Sequence, residues 1–289
     1  MSYSEKYLKI IIGLGTGQMG DGAPSEFYTL TNFRASAVIQ SYGGETMGQA
    51  SVKIYGLSAD LMNKMTASGY VMTQVRAKNS IQIFAGENPQ SLFNVYSGTI
   101  MTAVADYNNA PDVSLEITAL SATLSAMKSV DSTSLPGQKS ADQVFGVFAQ
   151  SLGLKLNNID VVHEFNNPTF NGSMRDQVSE AAIQADCDVT YDDSFLNIKG
   201  HYSYFGIAPT IISPKTGMVG YPLLSSDYLY VKSLFQPTIL QGHQIQVEDS
   251  KLIAANGLWI VVSVRHELES MMPNGKWFTT CGVFKNVNA

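Results

Sequence analysis

The sequence predicts a mainly β fold with a small α+β insert, and three observations carry that expectation. In the last third, Gln244 to Glu248 alternates polar and apolar, Leu258 to Val264 is short and β-branched with a Trp, and Trp277 to Phe284 is a third β-rich run. Near the end of the first part, Val113, Leu115 and Ile117 fall on one face of a strand and Ser114, Glu116 and Thr118 on the other. Between about 128 and 205 the apolar period moves from two to nearer four, the spacing of helices.

Taken in order, residues 1–127 read as short strands with one helix. Ser58 caps that helix, Leu61, Met62 and Met65 form its apolar stripe, and Gly69 ends it. In the middle segment Ser140 and Gln143 make a capping box. The helix it opens carries Val144, Phe148 and Leu152 on one face and stops at Gly153. A second helix starts near Ser173 and turns Met174, Val178, Ala181 and Ala185 inward. Cys187 falls just past its end, followed by a hairpin of Val189 to Tyr191 and Phe195 to Ile198 turned at Asp192-Asp193. Residues 206–289 return to strands, punctuated by Pro237, Gly242 and the Pro273-Asn274-Gly275 turn, and read as one small all-β barrel.

A chain of 289 residues is long enough for two or three compact domains. Charged residues make up 15%, against a usual value of about 25%, so much of the surface is neutral and polar. Such an exterior suits a protein that covers itself with partners, and equally a secreted β protein. The net charge of −6 and the absence of a basic run argue against gripping nucleic acid. In a conduit for DNA the same balance lets the polymer slide, because a negative wall repels phosphate.

Cys187 and Cys281 fit neither a metal spacing nor a disulfide framework and read as buried thiols. The N-terminus lacks a cleavable signal pattern, and no apolar run nears the ~20 residues of a membrane span. Synthesis and assembly in a reducing cytoplasm, with no membrane anchor, follow as the expectation. The Asn171-Gly172-Ser173 sequon is then irrelevant.

Several patterns invite a chemical reading. Gly15-Thr16-Gly17-Gln18-Met19-Gly20 is a formal GxGxxG after an apolar run and would place a nicotinamide-dependent oxidoreductase. That site needs a helix opening in the motif and an acid ending the next strand. Instead Asp21 to Pro24 and Phe27 to Ile39 read as loop and strand, with Gln40 beyond. His163, His201, His243 and His266 are scattered without metal spacing. His266 and Glu267 are adjacent on a strand and so point to opposite faces, which makes His266 a structural hydrogen-bonder. Asp186, Asp188, Asp192 and Asp193 suggest a glycan hydrolase or a calcium site, but their spacing suits solvated hairpin residues better. Tyr202, Tyr204, Tyr221, Tyr228 and Tyr230 suggest glycan or base stacking. Without basic residues between them, core filling and subunit contacts are the better reading.

The order Gly220-Tyr221-Pro222, Phe235-x-Pro237-x-Ile239-x-x-Gly242, Val262-x-x-x-His266 and Asn274-Gly275-x-Trp277 resembles the second tube barrel of hub proteins from contractile-tailed bacteriophages. The likeness is strongest to Mu-like hubs, with relatives in the spike proteins of type VI secretion systems. Tyr96-x-Gly98-x-Ile100 followed by Pro111-Asp112 and a strand resembles the first tube barrel of the same family. Residues 140–154 and 166–200 resemble the domain between the barrels, so the likeness spans about 75–285.

The resemblance implies two small tube-type β-barrel domains, 1–127 and 206–289, flanking an α+β domain at 128–205. No repeat between the two ends is visible in the residues, so their equivalence is implied by the family alone. It further implies a non-enzymatic structural baseplate hub with no cofactor, metal or catalytic residue. Three copies would form a pseudo-sixfold ring joining the sixfold tail tube to the threefold central spike. Implied partners are the tail tube protein, the central spike protein, the tape measure protein and baseplate wedge proteins, with DNA passing through the channel without specific binding. The implied location is the virion tail baseplate, assembled in the host cytoplasm. Because the sequence stops soon after Phe284, spike and lytic activity are expected on a separate protein. The rival readings are the two enzymes above and a carbohydrate-binding β protein.

Overall fold

A computed structural model describes residues 5–15, 24–42, 48–66, 79–121, 130–191, 195–206, 208–226 and 228–285. The first apolar run forms β1 (Tyr7–Gly15), which buries Leu8, Ile10, Ile12 and Leu14 on one face. The chain returns antiparallel as β2 (Pro24–Thr31), then β3 (Ala35–Ser41) and β4 (Gln49–Tyr55). The Ser58 hydroxyl accepts the Leu61 N–H and opens α1 (Ala59–Met65), which buries Met62 and Met65. The helix ends at Thr66, whose backbone N–H and hydroxyl both donate to the Met62 carbonyl. Gly69, the expected stop, lies outside the described residues. β5 (Ser80–Gly86), β6 (Phe93–Asp106) and β7 (Ser114–Leu120) complete this part.

The middle segment runs β8 (Thr133–Ser134), β9 (Gln138–Ser140), α2 (Ala141–Leu152), β10 (Lys155–Ile159), β11 (Glu164–Asn166), β12 (Thr169–Phe170), α3 (Met174–Ala185), β13 (Cys187–Tyr191) and β14 (Phe195–Gly200). Both arms of the Ser140–Gln143 capping box are present, and Gly153 ends α2 at φ 72°. Ser173 caps α3 through a second box with Asp176. The core here is edge-on aromatic packing, with Phe145, Phe148, Phe165 and Phe170 at ring separations of 5.4–6.5 Å. β13 and β14 pair antiparallel as the sequence predicts, and their connection at Asp192-Asp193 lies outside the described residues.

The last part comprises β15 (Thr210–Ile212), β16 (Leu223–Leu224), β17 (Leu229–Leu234), β18 (Gln244–Val247), a 3-10 turn at Ile253–Ala255, β19 (Gly257–Ser270) and β20 (Trp277–Phe284). β19 continues well beyond the expected Val264. Its first half pairs with β18 and its second half with β3, while β20 lies along most of its other side.

That one long strand joins the two ends of the chain in a single sheet. The main sheet has thirteen strands in the order β16-β17-β20-β19-β3-β4-β7-β6-β5-β1-β2, with β18 and β15 branching from β19. No closed barrel forms among the described residues. The buried cores follow the same logic. Residues 8–119 form one cluster that also takes in Leu268 and Trp277 from the far end of the chain, and residues 212–283 form another.

A repeat invisible in the sequence appears in the strand order. β3-β4-β7-β6-β5 and β16-β17-β20-β19-β18 are the same five-strand arrangement traversed the same way. β6 and β19 occupy the same place in it, are both 14 residues long, and each carries a bulge against its partner, between Ile100 and Thr102 and between Val261 and Ser263.

Candidate assembly surface

The residues that suggested chemistry are mostly occupied by structure. Beyond Gly15 the Gly-rich motif lies outside the described residues, but the chain from Pro24 is a strand paired antiparallel to β1. The helix that would hold a pyrophosphate is replaced there by β2. Asp192 and Asp193 are likewise outside the described residues.

Asp186 and Asp188 meet two residues that sequence reasoning did not join to them. Asp188 lies opposite Lys199 in the β13–β14 ladder, and the Lys199 ammonium donates to its carboxylate at 2.7 Å. His201, just past β14, reaches Asp188 through Nδ1 at 2.7 Å and Asp186 through Nε2 at 3.2 Å. Burial opposes ionisation of Asp188, yet Lys199 and His201 outweigh it and hold the carboxyl below its usual range. Burial likewise opposes the charge on His201, and the two carboxylates outweigh it and raise that pKa. Among the described residues no group of three or more His, Cys, Asp or Glu could hold a metal ion.

His266 is buried, bonds Thr279 Oγ1 through Nδ1 at 2.9 Å, and is pushed down to about 4 by burial. Its neighbour Glu267 points the other way, to Arg265 and Lys276. His243 approaches the Thr238 carbonyl and His163 packs edge-on against Phe165. Cys187 and Cys281 are buried free thiols, each raised to about 12 by desolvation. A cleft of about 360 Å³ bordered by Gln40, Tyr96, Tyr191 and Gln241 has no charged side chain among the described residues that line it.

The tyrosines require a correction. Tyr202, Tyr204, Tyr221, Tyr228 and Tyr230 are all exposed, so they do not fill the core. Alternation along β17 explains part of this, because Leu229, Val231 and Ser233 take the inner positions and leave Tyr230 and Leu234 outside. Beside them stands the apolar edge that the sequence reading missed: Leu223 and Leu224 of β16 are 69% and 60% exposed. Among the described residues β16 ends the ladder, pairing only with β17. The signal available in the sequence was Leu223-Leu224 set amid the Tyr-rich run.

Charges on the strands of the ladder are in part paired. Lys53 pairs with Glu116 across β4 and β7 at 2.7 Å, and Arg265 and Lys276 both reach Glu267 at 3.4 and 3.2 Å. Three cations are thus answered by two carboxylates, while Lys9 and Lys232 lie over the Phe84 and Phe278 rings.

The family model described as Baseplate hub gp41 matches residues 16–281. Among solved structures, the prophage MuSo2 43 kDa tail protein from Shewanella oneidensis aligns with a TM-score of 0.62 at 10% identity, covering 98% of this chain and 97% of that one. A tail protein from Neisseria meningitidis MC58 gives 0.61 at 9% identity with 96% of each chain covered. The E. coli c3393 protein, a type VI secretion component, gives 0.58 at 8% identity, covering 89% of this chain and 74% of that one. At such identities the likeness is one of fold. No curated protein matches the chain by sequence.

Proposed function

The chain belongs to the baseplate hub gp41 family, and from that premise we propose that it is the structural hub of a contractile-tail baseplate. In this reading three copies form a pseudo-sixfold ring that joins the sixfold tail tube to the threefold central spike and lines the channel for DNA. The units are tube-type domains at 1–127 and 206–289, with an α+β domain at 128–205 between them.

The observation that carries the reading is the duplicated five-strand unit within one ladder. Two like units per chain are what a protein needs if three copies are to present six similar faces to a sixfold tube. The pairing of Lys53, Arg265 and Lys276 with carboxylates supports passage of DNA without specific binding, since it weakens the hold of those cations on phosphate. Solved structures of like fold add support, being prophage tail proteins and a type VI secretion component. Partners in this reading are the tail tube, central spike, tape measure and wedge proteins. The location is the virion tail baseplate, reached by assembly in the host cytoplasm.

Light scattering of the purified chain across a concentration series tests it. A mass of three chains, or one that rises toward three with concentration, is the expected result. A single-chain mass at every concentration, with the tail tube and spike proteins also added, would refute the ring.

A further inference from the structure

The sequence holds three Asn-Gly bonds, at 171–172, 256–257 and 274–275. Such a bond carries its own reagents. The backbone nitrogen of the Gly attacks the side-chain carbonyl carbon of the Asn, closing a cyclic succinimide and expelling ammonia, and water then opens the ring to aspartate or isoaspartate. Gly favours the attack because it has no Cβ to restrict the backbone. The step still needs a near-attack geometry, so the Asn amide must be free to swing toward a nitrogen that is not held elsewhere.

The fold withholds that freedom from two of the three bonds. At Asn256 both ends of the side-chain amide are held, Oδ1 accepting the Ser250 N–H at 2.9 Å and Nδ2 donating to the Ser250 carbonyl at 3.2 Å. At Gly275 the attacking nitrogen is engaged, donating to the Met272 carbonyl at 3.1 Å, and the carbonyl of the same residue accepts from Lys6 Nζ at 3.3 Å. Asn171 and Gly172 differ in both respects. They lie between the end of β12 and the Ser173 cap of α3, both are exposed, and among the described residues neither the Asn171 amide nor the Gly172 N–H has a hydrogen-bond partner.

We infer that Asn171–Gly172 is a site of self-modification through a succinimide in the folded chain, and that its isoaspartyl product loosens the start of α3. Isoaspartate routes the main chain through the side-chain carbon and lengthens it by a methylene just before the cap. The Gly172 carbonyl accepts Gln177 Nε2 at 3.1 Å, and Gln177 is fully buried with its Oε1 unpartnered among the described residues. A longer link displaces that carbonyl, and a buried amide has no water to turn to in its place. The turn has little slack, since Gly172 sits at φ 97° with the Asp176 carboxylate 2.9 Å from where a Cβ would stand.

The full chain, held folded at mildly alkaline pH and sampled by peptide mass mapping with enzymatic detection of isoaspartate, tests this. Conversion at Asn171 is expected to run roughly tenfold or more ahead of Asn256 and Asn274, whose hydrogen bonds must break first. In urea, where the fold no longer distinguishes them, the three rates should converge. Equal rates in the folded chain, or no conversion at Asn171 there while the urea sample converts, overturns the site. The isoaspartyl product, separated by its added charge, should unfold at lower urea than Asn171→Asp, which carries the same charge on an unaltered main chain. Coincident midpoints overturn the effect on α3.

Discussion

Replacing Trp277 with Ala should destabilise both halves of the protein, although the side chain sits in only one of the two strand cores. Trp277 lies on β20 but packs into the cluster formed by residues 8–119, 2% exposed, with its ring 5.3 Å from Phe235. A buried Trp removes up to about 250 Å² from water, which at ~25 cal/mol/Å² is roughly 6 kcal/mol of transfer free energy as an upper bound. Ala retains part of that and the site relaxes, so the expected loss is about 3–5 kcal/mol. With a urea slope near 3 kcal/mol/M, the midpoint falls by about 1–2 M. The chain has two tryptophans, and the variant leaves Trp259, in the other core, as sole reporter. The comparator is Trp277→Phe, which keeps a ring against Phe235 and has the same single reporter. Urea unfolding at fixed protein concentration, followed by Trp259 fluorescence and by far-UV dichroism, should show both signals moving together. If the Trp259 midpoint matches that of Trp277→Phe while the dichroism splits into two steps, the β3–β19 seam does not couple the halves and the reasoning fails.

The pH dependence has a definite sign at His266. Because burial depresses its folded pKa to about 4, its contribution is intact above about 6.5 and is lost as pH falls toward 4, on the order of 2 kcal/mol by pH 5. His266→Gln should therefore flatten the fall in unfolding midpoint between pH 7 and pH 5, and an unchanged slope would count against a neutral buried imidazole. At His201 the sign is opposite: its raised folded pKa gives stabilisation that is complete below about 6.5 and fades as pH rises through the folded value. Proton NMR of Asp188→Asn should show His201 titrating at lower pH than in the parent. Both thiols, desolvated and raised to about 12, should resist a thiol reagent at pH 8 and react only in denaturant. Ser140→Ala should cost about 1 kcal/mol of stability by removing one arm of the α2 cap.

What could be read from the sequence was what neighbours decide. Ser58, Ser140 and Ser173 sit three residues from the N–H groups they satisfy, so their helices were legible. The β13–β14 hairpin was legible for the same reason. The β3–β19 seam joins residues 35–41 to 264–270, and nothing local marks β19 as long enough to serve two partners. β16 is two residues long and has no periodicity to detect. The exposure of Tyr230 was not legible, because the inner positions of β17 were set by pairing with β20, which composition does not reveal. The Lys199–Asp188–His201 group formed through a cross-strand register and a residue beyond the strand end, neither of which spacing alone could supply.

The seam between β3 and β19 has a mechanical character that depends on direction. Its inter-strand hydrogen bonds run perpendicular to two antiparallel strands. A pull along the strands strains all of those bonds at once, so the joint yields only when they fail together. A pull that peels β3 away from β19 meets them singly, beginning at Ser41 or at Ala35. The chain is therefore stiff toward sliding of one half past the other and compliant toward opening. Any load the two halves must carry without parting is best borne along β19.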